Sequence, residues 1–128
     1  MSKKVTSLSS EILSKLIVKG MQERKAIDIH ILDLRKVKNS VADYFVLCTG
    51  TSDTHMSGIS ESVKDEVMKA SGQMPWHKEG GDNKSWVLLD YVDVVTHIFA
   101  EDSRSFYGIE DLWADAEIEI LKDPAQKN

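Results

Sequence analysis

The chain has little cysteine, no long apolar run and a deficit of positive charge, and each shortage closes off a class of protein. A single cysteine, Cys48, excludes an internal disulfide and any zinc site built from several cysteines. It lies in the run YFVLCTG, where a thiol acts as a small hydrophobe and no neighbour activates it. No apolar run is long enough to cross a bilayer, and the opening MSKKVTSLSSEIL lacks the apolar core of a signal peptide. The expectation is a protein without membrane contact, in the reducing cytoplasm. Lys and Arg number 16 against 21 Asp and Glu. Binding phosphate backbones needs clustered positive charge, so nucleic acid is not expected as the main partner and a basic protein surface is. Lys and Arg are scattered apart from SKK at the start and RKVK at Arg35 to Lys38, which read as solvated ends or turns. Internal repeats and low-complexity segments are absent as well.

What is present suits one domain over 128 residues, with a core from about 9 to 117 and a frayed tail from 118 to 128. Ser9 or Ser10 can cap a helix whose apolar stripe is Ile12, Leu13, Leu16, Ile17 and Met21. Ile27, Ile29 and Ile31 then alternate with Asp28, His30 and Leu32, the period of a strand with one buried face. VADYFVLCTG is nearly continuous in apolar residues and reads as a central strand covered on both sides. Thr51 or Ser52 can cap the next helix, which carries Met56, Ile59, Val63, Val67 and Ala70 and stops at Gly72. A loop from Gln73 to Lys84 follows. WVLLD and VVTHIFA are separated by a short turn and predict an antiparallel hairpin. Asp102 or Ser103 opens a last helix, with Phe106, Ile109, Trp113 and Ala116 on one face. The fold class is therefore α/β, helices packed on a small mixed sheet that ends in a hairpin and a C-terminal helix.

Several groups carry chemistry in principle. The strand–Gly50-Thr51-Ser52–helix junction resembles the start of the nucleotidyltransferase fold, where helix amides hold nucleotide phosphates. That reaction also needs strand carboxylates to hold Mg²⁺, and the segment DTHMSGISESVKDEVM offers a helix without an Asp-x-Asp strand. A nucleotidyltransferase-related, nucleotide-binding enzyme is thus the alternative reading. Asp90 and Asp93 can form a dyad, but they flank Tyr91-Val92 at a tight reversal, where Asp accepts backbone hydrogen bonds. His30, His55, His77 and His97 lack metal-ligand spacing, and no metal or cofactor is expected. Aromatic residues crowd the C-terminal half among acids, the composition of a protein-binding surface.

Taken in order, ADYFVLCTGTSDTH, EGGDNKSWVLLDYVDVVTHIF and RSFYGIEDLW resemble the ribosomal silencing factor, or Iojap-like, family. The resemblance runs from about Ser9 to Glu117 and implies a nucleotidyltransferase-like fold without the catalytic acids. It implies no enzyme activity. It implies binding to the large ribosomal subunit through ribosomal protein L-fourteen, blockade of small-subunit joining, repression of translation and a role in large-subunit biogenesis. A minor ribosomal RNA contact and a homodimer of the free protein are further partner expectations. The partner-contact candidates are Glu79, Trp86, Asp90, Tyr91, His97, Arg104 and Tyr107, chosen by motif membership and expected exposure. One departure stands out. The family turn reads Asp-(Tyr or Leu)-Gly-Asp, and the glycine position here is Val92, which is strained if the turn needs positive φ. In the hairpin, alternation places Trp86, Leu88 and Asp90 on one face and Val87 and Leu89 on the other. Trp86 either anchors a partner or packs under the loop from Gln73 to Lys84.

Overall fold

The computed structural model describes residues 8–80, 85–104 and 108–122. Helix α1 spans Ser10–Glu23, and the Ser9 hydroxyl accepts the Ile12 amide at its start. Its buried stripe is Leu13, Ile17 and Met21, joined by Val18 and Gly20. Ile12, expected on that stripe, is exposed instead. The stripe is turned because α1 lies close against α2 (Asp53–Ser71): a Cβ built on Gly20 would stand 2.6 Å from the Val63 Cα. Helix α2 is capped by the Ser52 hydroxyl and ends at Gly72, whose φ of 76° is the left-handed cap glycine adopts freely.

Strands β1 (Ile27–Asp33), β2 (Tyr44–Gly50), β3 (His77–Glu79), β4 (Trp86–Asp90), β5 (Val94–Ala100) and β6 (Glu117–Ile120) form one sheet in the order β3-β4-β5-β2-β1-β6. Only β2 and β5 run parallel among these pairs; the others are antiparallel. Every residue of β2 is buried, as its unbroken apolar run requires of a central strand. One face of the sheet packs on α1 and α2 through Ile29, Ile31, Val46, Cys48, Val87, Leu89 and Ile98. Cys48 is wholly buried there, and desolvation raises its thiol far above the usual range. The opposite face carries Leu32, Phe45, Leu47, Val95 and Phe99, covered in part by Leu34, Ala42 and Ala116.

Three further expectations change. Residues 77–79 form an edge strand within the segment expected to be a loop; three exposed polar residues give no alternation to read. Residues 118–120, expected in the frayed tail, belong to β6, where Ile118 stands opposite Leu32 and Ile120 opposite His30. Pairing there satisfies backbone groups of β1 that would otherwise lie at an open edge. The last helix is α3, Ile109–Leu112, one turn long. Gly108, at φ 62°, stands at its start. Phe106 and Tyr107 lie outside the described residues.

Candidate interaction surface

The sheet face turned away from the helices carries a band of rings. Trp86 on β4 stacks on His97 at 5.6 Å and on Phe99 at 5.4 Å between ring centroids. Phe45 on β2 meets His97 edge-on at 4.7 Å and Trp113 at 5.6 Å. Such offset and edge contacts suit the ring quadrupoles. The Trp86 indole N–H donates to His97 Nδ1 at 3.1 Å. Indole nitrogen only donates, so the His97 proton sits on Nε2, which meets no acceptor among the described residues. Burial pushes the His97 pKa down to about 4. Trp86 and Leu88 are half-buried, leaving part of this apolar floor open.

The rim beside it is polar. His77 and Glu79 on β3 pair with Asp90 and Leu88 on β4, so all four face the same side. His77 Nε2 and Glu79 Oε2 are 2.8 Å apart. Asp90 is fixed as a turn group: its Oδ1 accepts the Val92 amide at 2.7 Å and its carbonyl accepts the Trp76 amide at 2.7 Å. The Asp93 carbonyl accepts the amides of Asp43 and Tyr44. Asp90 thus has the turn role its sequence position suggested, while Asp93 is engaged through its backbone.

The structure gathers Glu79, Trp86, Asp90 and, beneath Trp86, His97 on one face. It places the remaining described candidates elsewhere. Tyr91 is buried in the helix-side core, where alternation from Val87 and Leu89 puts it, and desolvation raises its phenol well above the usual range. Arg104 has only 11% of its side chain exposed. Its Nε and Nη2 donate to the two Glu110 oxygens, each at 3.1 Å, and its Nη1 donates to Thr49 Oγ1 and the Asp28 carbonyl. Glu110 also pairs with His30. Burial works to raise the Glu110 pKa, but Arg104 and then His30 hold it below the ordinary value. Arg104 therefore fastens α3 to the ends of β1 and β2. Tyr107 lies outside the described residues. The burial of Tyr91 follows from strand alternation, which motif membership overrode, while the exposure of Arg104 could not be read because it depends on what the tertiary fold lays against it. Leu88 and Trp76 were not among the candidates; alternation from Trp86 signals the first, and nothing local signals the second.

The Gly50-Thr51-Ser52 junction is internally engaged. The Thr51 amide donates to His55 Nδ1 at 2.9 Å, the His55 amide to Ser52 Oγ at 3.0 Å, and the Met56 amide to the Ser52 carbonyl at 2.9 Å. His55 Nε2 reaches the Arg24 carbonyl at 2.7 Å, which fixes Nδ1 as the acceptor. A phosphate arriving here would compete with the His55 ring for the Thr51 amide. An open cleft of about 330 Å³ beyond it is lined by Asp28, Thr49, Glu101, Arg104 and Glu110, an acid-rich set that repels a polyphosphate. Among the described residues, no three His, Cys, Asp or Glu groups are placed to share a metal ion. No described helix is long and apolar enough to cross a membrane.

The sequence model of the family described as "Ribosomal silencing factor during starvation" matches residues 7–128. The ribosomal silencing factor of Bacillus subtilis is 36% identical over 114 residues, 89% of this chain and 95% of that one. The chloroplastic protein Iojap of Zea mays is 33% identical over 102 residues, 78% of this chain and 42% of that one. Among solved structures, a Chromobacterium violaceum protein superposes with a TM-score of 0.78 at 28% identity, covering 93% of this chain and 98% of that one. A Bacillus halodurans structure gives 0.70 at 29% identity over 89% and 99%.

Proposed function

Since this chain belongs to the ribosomal silencing factor family, we propose that it binds the free large ribosomal subunit through ribosomal protein L-fourteen and keeps the small subunit from joining. Translation falls because subunits held apart cannot initiate together. The protein acts by occupancy, without catalysis or a cofactor, in the cytoplasm.

The observation that carries this reading is the half-open face of Trp86 and Leu88, floored by buried rings and rimmed by Glu79 and Asp90. Half-buried aromatic anchors with charge at the edge are the anatomy of a protein interface. Acids at that edge favour a basic protein surface and disfavour a phosphate backbone, so ribosomal RNA makes at most a minor contact. Any homodimer of the free protein that used this face would compete with the subunit for it.

Two measurements test the proposal. Purified chain should pellet with isolated large subunits through a sucrose cushion, and should lower the fraction of rejoined ribosomes when small subunits are added. A chain that stays in the supernatant, or that pellets without affecting joining, refutes it. Trp86→Ala should weaken pelleting by roughly 2 kcal/mol or more of binding energy. Trp86 is only half-buried, so its folding penalty should fall short of the ~3–5 kcal/mol of a fully buried tryptophan. Thermal unfolding of the same variant separates the two effects.

A further inference from the structure

The β4–β5 turn holds Val92 at a φ of 77°, a region where a β-branched side chain crowds its own backbone. The Asp93 amide donates to the Tyr91 carbonyl at 3.0 Å across it, closing the strained, positive-φ form of the γ-turn. Surrounding bonds enforce this shape. Tyr91 N–H reaches the Val94 carbonyl at 2.9 Å, and Asp90 Oδ1 takes the Val92 amide. The outcome is an apolar side chain held out from the hairpin tip, 54% exposed.

Two more exposed apolar residues lie on the segment whose backbone joins this turn. Trp76 is 80% exposed and is tied to the same turn, its amide bonded to the Asp90 carbonyl. Met74, two residues earlier, is 69% exposed. Burial is the ordinary fate of such residues, and three of them held in water at one end of a sheet mark a contact surface. The tip adjoins the face already described, because Asp90 belongs to both.

We propose that Met74, Trp76 and Val92 form a second contact, an apolar plug that enters a socket with basic groups around its mouth on the large-subunit protein partner. This rests on the reading above that the partner is the large subunit. The choice of occupant follows from charge. Asp90 and exposed Asp93 lie beside Val92, and Glu79 lies along the same edge. Those acids favour a basic rim, repel anionic lipid headgroups and phosphate backbones, and work against a second copy of a chain whose net charge is −5.

The test compares wild type, Val92→Gly and Trp76→Ala by thermal unfolding, sedimentation equilibrium and binding to isolated large subunits. Glycine relieves the turn, so Val92→Gly should melt higher than wild type yet bind more weakly. Trp76→Ala should melt as wild type and bind roughly tenfold more weakly or worse. Wild-type binding with both variants equally tight overturns the plug and leaves the ribosomal reading standing. Wild type failing to bind overturns both. A wild-type dimer that Trp76→Ala converts to monomer, with subunit binding unchanged, assigns the tip to self-association and overturns the plug.

Discussion

At the scale of single residues, His97 shows how a sheet face sets a proton. Trp86 takes Nδ1, the rings of Phe45 and Phe99 exclude water, and the pKa falls to about 4 from an ordinary 6.5. A folded pKa below the unfolded one means the unfolded chain binds more protons as pH drops. Stability from this group is therefore complete above about pH 6.5 and is lost as pH falls from there through about 4, by about 3 kcal/mol in all. His97→Gln keeps an acceptor for the indole but does not titrate. Its melting temperature should change less than that of wild type between about pH 7.5 and about pH 5; equal changes would remove His97 as the cause. Arg104 makes a different kind of claim. Arg104→Lys loses the two-pronged grip on Glu110 and should cost roughly 1–2 kcal/mol, less than a fully buried pair because Glu110 is partly in water. Chemical denaturation measures it, and an unchanged midpoint would mean α3 is held by Trp113 and Ile109 without Arg104.

At the scale of elements, the α1–α2 crossing depends on a missing side chain. Gly20 lets the helices meet at Val63, where an added Cβ would stand 2.6 Å from backbone. Gly20→Ala improves helix propensity by about 1 kcal/mol yet forces α1 away from α2, and overpacking typically costs ~1–3 kcal/mol. A net loss of melting temperature is expected; a gain would show that the helices can separate without penalty. Strand β6 covers the edge of β1. A chain ending at Ala116 should still fold around β1–β5 but should scatter more light on warming, because β1 becomes an open edge. Unchanged scattering would mean that β1 resists pairing without its cover.

At the scale of the whole molecule, charge is unevenly placed. Residues 101–119 hold seven acids and one base, Arg104, so the chain's net charge of −5 is concentrated in its last quarter. Asp111 and Asp115 are exposed there, on and just beyond α3. Charges at an interface rim steer encounters more than they hold complexes. Joint Asp111→Asn and Asp115→Asn should slow association with large subunits and flatten its salt dependence, with little change in dissociation. Stopped-flow association across ionic strengths reads this directly, and an unchanged rate would place those acids away from the approach path.

Local pattern alone determined much of this protein. The alternation in WVLLD and VVTHIFA, the apolar run of β2, the serine caps and Gly72 are each set by neighbours within a few residues, so helices, strands and the facing of Trp86 were readable. Val92 was readable as a point of strain for the same reason, since a tight reversal admits few backbone shapes. Long-range contact decided the rest. The polar strand β3 exists because β4 offers it backbone partners, which no local propensity encodes, and the alternating EIEI of β6 becomes a strand at the sheet edge by pairing with β1. Arg104 became a fastener because groups distant in sequence, Glu110, Thr49 and the Asp28 carbonyl, were brought to it, whereas Tyr91 continues the inward alternation of Val87 and Leu89 into the core. Exposure is a property of what packs against a residue, and a linear sequence states only what the residue is.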